Sequence, residues 1–162
     1  MGRVSLHFAA DVLDDKFVQE QTGVSIWAND GFQIAFDPLE DGLPGDFAGT
    51  TGYGPDDLEF GIALTPEGPQ TFQWTGAPGG TGRLLDLPLA VVREGEHTRY
   101  EWTLRWAYAG QLSPTPGRAF GMNFVLLDAD KPGETARYWL GLTPGICGGK
   151  DPSQFETFVL GE

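Results

Sequence analysis

Cysteine is nearly absent from this sequence. Cys147 is the only one in 162 residues. No intrachain disulfide can form, and a zinc or iron–sulfur centre built on cysteines is excluded. A free thiol fits a reducing compartment. Histidine is almost as scarce, with His7 and His97 alone. Positive charge is also short: 10 Lys and Arg face 23 Asp and Glu, for a net charge of -13. A surface of that sign repels phosphate backbones and anionic lipid, which argues against nucleic acid and membrane as partners. It leaves neutral ligands and divalent cations. No apolar run approaches the length of a membrane span, and the first residues carry no secretory leader pattern. Catalytic signatures are missing too. There is no Gly-x-Ser-x-Gly elbow, no Gly-Lys-Ser/Thr phosphate loop, no dinucleotide fingerprint and no His-Glu-x-x-His.

What the chain has in excess is punctuation. Its 24 Gly and 12 Pro would break long helices but suit many strands joined by turns. Apolar residues make up 40%, enough for a core at this length. The length suits one domain covering residues 1–162. Val4, Leu6, Phe8, Ala10 and Val12 recur at every second position, the period of a half-buried strand. Phe32, Ile34 and Phe36 do the same, closed by Pro38, and so do Leu58, Phe60, Ile62 and Leu64. Between them, residues 39–57 form a Gly/Asp/Pro loop of a length associated with function or mobility.

Residues 70–75 read as a short further strand and residues 77–82 as a flexible turn. Residues 84–93 and 98–107 read as the two arms of a hairpin turning at 94–97. In the second arm Tyr100, Trp102, Leu104 and Trp106 share a face. Residues 120–128 and 136–142 form another pair, and 155–160 close the chain. The expectation is an all-β chain of about eight or nine strands, folded as an antiparallel β-sandwich of jelly-roll or immunoglobulin-like type.

Acidic residues are numerous, and two carboxylates suffice for glycoside hydrolysis, but nothing in the sequence singles out a pair. His7 sits in a strand and His97 in the hairpin turn, where a solvated or hydrogen-bonded role is ordinary. Haem ligation would need Met122 with one of them. The aromatic residues say more. Trp102 and Trp106 fall on the core face. Trp139 shares parity with Arg137 rather than with Tyr138 and Leu140, and Trp74 ends a strand beside a Gly-rich turn, so both are left open. Trp27 stands apart, in Ser-Ile-Trp-Ala-Asn-Asp-Gly at a loop–strand junction. An indole there can lid the sandwich core. It can also stack on the apolar face of a sugar while Asn29 and Asp30 bind hydroxyls.

Gln33 and Ala35 face away from Phe32, Ile34 and Phe36, and Gly61 and Ala63 face away from Phe60 and Ile62. If these strands are neighbours, that face has a small-residue floor, open as a groove or covered by another element. Asp11, Asp14, Asp15, Asp56 and Asp57 gather in turns near strand ends. Such hard oxygen donors suit Ca2+ and equally suit capping of local backbone.

Several stretches, in order along the chain, resemble family 9 carbohydrate-binding modules. The run Ile26-Trp27-Ala28-Asn29-Asp30-Gly31-Phe32-Gln33-Ile34-Ala35-Phe36-Asp37 is similar to that family's Trp-x-x-Asp-x-(Val/Phe)-(Glu/Gln)-(Ile/Leu) signature. Residues 4–15 are similar to its strand ending in an Asp-rich turn. Gly121-Met122-Asn123-Phe124 through Asp128-Ala129-Asp130 is similar to its Gly-Phe-Asn strand followed by Asp-Ala. Lys150-Asp151-Pro152-Ser153-Gln154-Phe155 is similar to its closing Asp-Pro-x-x-Phe segment. The set spans nearly the whole chain.

The resemblance implies a β-sandwich, often with structural calcium, related more broadly to sensor domains with sugar or haem ligands. It implies a clamp of two Trp rings around the end of a β-glucan or xylan chain, with no bond broken. Trp27 matches one clamp ring and Gln33 replaces a ligand-facing Glu. The expected ligand-binding set is Trp27, Asn29, Asp30, Gln33, Trp139, Lys150 and Asp151. The expected metal set, for calcium, is Asp11, Asp14, Asp15 and Asp57.

The sequence also departs from the pattern. The second clamp Trp would fall near Gly149, a ligand-facing Arg near Gly61 and a ligand-facing Gln near Val125. Each lost contact removes about 1 kcal/mol or more of sugar affinity. Trp139 and Trp74 are the candidates for the missing wall. Strands that precede the position of Val4 in the family have no counterpart here. Either the chain is a fragment of a longer protein with further domains, or the sandwich closes through self-association at an open edge strand. The expected function is a non-catalytic module that recognises a plant-type polysaccharide or oligosaccharide. As the accessory of a polysaccharide-degrading enzyme it would be extracellular. The alternative is a structural or assembly domain of the same fold that has lost the sugar site.

Overall fold

The structure, a computed structural model, describes residues 5–42, 52–76, 82–147 and 149–161. Val4, part of the 39–57 loop and most of the 77–82 turn lie outside the described residues. The strands are β1 (Ser5–Leu13), β2 (Gly31–Asp37), β3 (Leu58–Thr65), β4 (Gly68–Thr75), β5 (Arg83–Leu85), β6 (Leu89–Glu94), β7 (His97–Arg105), β8 (Ala119–Asp128), β9 (Tyr138–Gly141) and β10 (Glu156–Val159). Helical structure among the described residues is confined to 3-10 turns at Gly23–Ala28, Trp106–Tyr108 and Pro152–Gln154, as the Gly and Pro content requires.

The strands form an antiparallel β-sandwich. One sheet has three strands in the order β1-β7-β6. The other has seven, in the order β10-β8-β2-β3-β4-β5, with β9 also on β8. β10 pairs with the first half of β8 and β9 with its second half, both on the side away from β2. The core forms where the alternating apolar residues of the two sheets meet. Phe32, Ile34, Phe36, Phe60 and Ile62 face Tyr100, Trp102 and Leu104. Ring contacts cross the gap: Phe8 to Phe32 at 5.2 Å, Phe32 to Tyr100 at 5.0 Å and Phe60 to Trp102 at 5.4 Å. Each packs edge-on or tilted, the favoured arrangement for aromatic quadrupoles.

Two expectations change. Residues 84–93 are not one hairpin arm. The chain breaks at Asp86-Leu87-Pro88, and β5 joins β4 in the large sheet while β6 joins β7 in the small one. Pro88 has no N–H for a ladder, so the strand cannot run through it; its carbonyl instead accepts Thr103 N at 3.0 Å. The break raises the strand count and stitches the two sheets together. Trp106 also leaves the strand. It packs on the core from the first position of a 3-10 turn.

Candidate functional site

β2 and β3 are buried on both faces, although a lone alternating strand reads as half-exposed. The inner face is the aromatic core. On the outer face the register aligns Val125, Gln33, Gly61 and Phe72 in one row across β8, β2, β3 and β4. The next row brings Asn123, Ala35 and Glu59 together. The small-residue floor expected from the sequence therefore exists, and two groups of side chains stand on it.

Ile26, from the 3-10 turn Gly23–Ala28, packs with Trp74 over Ala63 and Phe72. Trp74 arrives there through a bulge. Glu59 pairs with Thr75 and Phe60 with Gln73, which leaves Trp74 as the extra residue and re-aims it. Its ring lies against Gly61, where a Cβ would collide with ring carbons Cη2 and Cζ3. Its Nε1 donates to the Val24 carbonyl at 2.9 Å. On the β8 side, Ile146 with Tyr53, Ala136 and Phe155 covers Ala35, Val125 and Leu127.

Lys150 lies between these groups. Its Nζ donates to Glu59 Oε1 at 2.5 Å and to Gln33 Oε1 at 3.4 Å, and sits 5.8 Å from the centre of the Tyr53 ring. Glu59 is nearly fully buried, so this pair is only weakly screened by solvent. The Tyr53 hydroxyl lies near Glu59 without closing a hydrogen bond of normal geometry. Burial, with the Glu59 charge adding, pushes it well above the usual phenol range. Trp27 is carried on the same turn as Ile26 but points outward, with 47% of its surface exposed. Trp139 pairs with Leu127, which places it on this same outer face, and it is 58% exposed.

Of the expected ligand residues, Trp27, Gln33, Trp139 and Lys150 thus belong to one sheet face, and Trp27 and Trp139 present aromatic surface to solvent. Asn29, Asp30 and Asp151 are engaged within the fold. Asn29 is buried, donating to Ala28 and Glu134 carbonyls and accepting Glu20 N. Asp30 accepts Val18 N at 2.7 Å and Ala129 N at 2.6 Å. Burial outweighs those bonds and pushes its carboxyl up to about 7. Asp151 caps the 3-10 turn Pro152–Gln154 through Ser153 N, Ser153 Oγ and Gln154 Nε2.

Sequence reasoning missed Glu59 and Tyr53. The available signal for Glu59 was its parity: it is the one charge among the outward positions Glu59, Gly61 and Ala63.

The expected metal residues do not form one set. Asp11 is exposed and engaged by His97 at 2.9 Å and Arg99 at 3.5 Å. Asp14 pairs with Arg93 at 3.4 Å. Asp14 and Asp15 line a cavity of about 340 Å³ together with Asp30 and Asp128. Asp57 lies elsewhere, leading into β3 beside Asp37, Asp41 and Asp56. The reason is topological: Asp11, Asp14 and Asp15 follow β1 in the three-stranded sheet, and Asp57 precedes a strand of the other. Met122 faces the core, whereas His7 bonds Ser5 and Thr103 on the exposed side of the three-stranded sheet. Met122 and the histidines are therefore not brought together for haem.

No protein-family model and no curated protein matches the sequence. Solved structures do match. A family 9 carbohydrate-binding module from Caldicellulosiruptor kristjanssonii in complex with cellotriose superposes with a TM-score of 0.70 at 17% identity. The match covers 98% of this chain and 70% of that one. The same description in complex with glucose gives 0.67 at 15% identity, over 98% and 72%. A candidate carbohydrate-binding protein from Bacteroides uniformis gives 0.57 at 16% identity, over 98% and 73%. Over nearly its whole described length, this chain has the fold of a family 9 carbohydrate-binding module.

Proposed function

We propose that the chain is a non-catalytic module that binds a β-glucan or xylan saccharide on the outer face of its seven-stranded sheet. The observation that carries this reading is the exposed Trp27 indole, held on a turn that lies on the same face as Gln33, Lys150 and Glu59. An indole offers a flat apolar surface to the C–H face of a pyranose. Gln33 and Glu59 accept hydroxyl protons, and Lys150 and the Gln33 amide donate. Among the described residues none accepts from Gln33 Nε2, which leaves that donor for a ligand. Trp139 is the second ring of this reading. Similarity of fold to modules described with cellotriose and glucose supports the choice of ligand.

A second reading has a specific observation in its favour. Trp74 lies over Gly61, where the family resemblance implies a ligand-facing Arg, and Lys150 and Glu59 satisfy each other. Both features suit a scaffold that has closed its sugar site and serves in assembly. One experiment separates the readings: calorimetric and Trp-fluorescence titration with cello-oligosaccharides, xylo-oligosaccharides and glucose. Saccharide binding that weakens at least about tenfold in Trp27→Ala, at unchanged stability, supports the first reading. No heat and no emission change with any of these sugars overturns it.

A further inference from the structure

The connection between β2 and β3 gathers four carboxylates. Asp37 is the last residue of β2, Asp41 follows it, and Asp56 and Asp57 lead into β3. One carboxylate oxygen from each of Asp37, Asp41 and Asp56 lies within 4.8 Å of the other two. Asp37 and Asp56 are 2% and 5% exposed, while Asp41 opens to solvent. Among the described residues no Lys, Arg or His forms an ion pair with any of the four. Arg118 donates instead to the Pro38 carbonyl.

Asp37 accepts Leu39 N and Gly42 N, each at 3.2 Å. Asp56 Oδ2 is buried with no hydrogen-bond partner, and so is Asp57 Oδ1. Buried carboxylates without partners are among the least favourable arrangements in a protein, and gathering several adds mutual repulsion. A cation relieves both.

We propose that Asp37, Asp41 and Asp56 bind a Ca2+ ion, at a place distinct from the Asp11, Asp14 and Asp15 turns. The donors are all hard oxygens, which suits Ca2+ and not thiolate- or imidazole-seeking metals. Two oxygens that share one Ca2+ at about 2.4 Å lie no more than about 4.8 Å apart, and these three meet that limit. Mg2+, with oxygens at about 2.1 Å in a near-octahedral shell, demands tighter spacing. The exposed Asp41 side leaves room for water to complete the shell. Such an ion joins the end of β2 to the entrance of β3. It thereby closes the base of the connection that delivers Tyr53 to the outer face. The proposal does not depend on the saccharide reading.

The test is thermal unfolding and calorimetric titration of the whole chain after treatment with EDTA. About 5 mM CaCl2 is expected to raise Tm by about 3 °C or more, and the same concentration of MgCl2 to give less than half of that. Each variant serves as its own baseline in EDTA. Asp41→Asn, at an exposed position, and Asp56→Asn each remove most of the rise. Asp14→Asn/Asp15→Asn, in the separate cavity, retains it. The proposal is overturned by the absence of any Ca2+-dependent shift or heat. It is equally overturned by a shift that persists in the Asp41→Asn/Asp56→Asn double variant, which places the ion elsewhere.

Discussion

The two faces of the β2–β3 pair are built from adjacent residues yet solve burial in different ways. Inward, Phe32, Ile34, Phe36, Phe60 and Ile62 meet the three-stranded sheet in a dry layer of rings. Outward, Gln33, Ala35, Glu59, Gly61 and Ala63 are buried as well, but beneath a loop lysine, a bulged tryptophan and a short 3-10 turn. The inner face is stabilised by area, which tolerates no cavity. The outer face is stabilised by a few specific contacts between polar groups and by backbone that rings approach closely. Alternation in the sequence thus separates two kinds of interior rather than inside from outside.

The comparison breaks most forcefully at Phe60. Phe60→Ala empties a fully buried ring site against Trp102 and Phe36. Chemical denaturation should show a loss of about 3–5 kcal/mol. A loss under about 1 kcal/mol would mean that the inner layer is loosely packed and that the contrast between faces is false.

The largest outer-face effect is expected at the Lys150–Glu59 pair. The Glu59 side chain is 5% exposed and that of Lys150 27%, so removing one partner leaves a poorly solvated charge. Glu59→Gln and Lys150→Met should each cost about 1–3 kcal/mol. The double variant should cost less than the sum, because neither charge is then left alone. Single losses within about 0.5 kcal/mol of wild type would show the pair to be screened like a surface salt bridge.

The inner face was legible because its signal is local: apolar residues at every second position name both the strand and its buried side. Hence β1, β2, β3, β7 and β8 stand where the alternation puts them. The β5–β6 crossing was not legible, because Leu84, Leu85, Leu87 and Leu89 suit one long strand as well as two short ones, and only Pro88 marks the break. At the outer site Trp27 and Gln33 were legible from their setting, and the Gly61–Ala63 floor from parity. What covers the floor was not. Lys150 and Glu59 lie 91 residues apart, and the position of Trp74 depends on a bulge set by strand pairing. Periodicity records neither. The Asp37, Asp41 and Asp56 group was hidden for the same reason, because its members flank a long connection and meet only when β2 and β3 pair.

The smallest effect tests whether the outer layer is packed or merely resting on the sheet. Gly61 needs no unusual backbone angle; it is needed for space, since a Cβ there would enter the Trp74 ring and come within 2.9 Å of Ile26 Cδ1. The ring edge is the movable end of its side chain, so Gly61→Ala should be accommodated by Trp74 swinging toward solvent at a cost of about 1 kcal/mol. That movement breaks the Nε1 bond to Val24 and loosens the turn that carries Trp27. Trp emission should therefore shift to the red even though most of the stability is kept. If Gly61→Ala leaves both the emission and the stability of wild type, Trp74 does not cover the floor in solution, and the outer face is an open groove rather than a second packed layer.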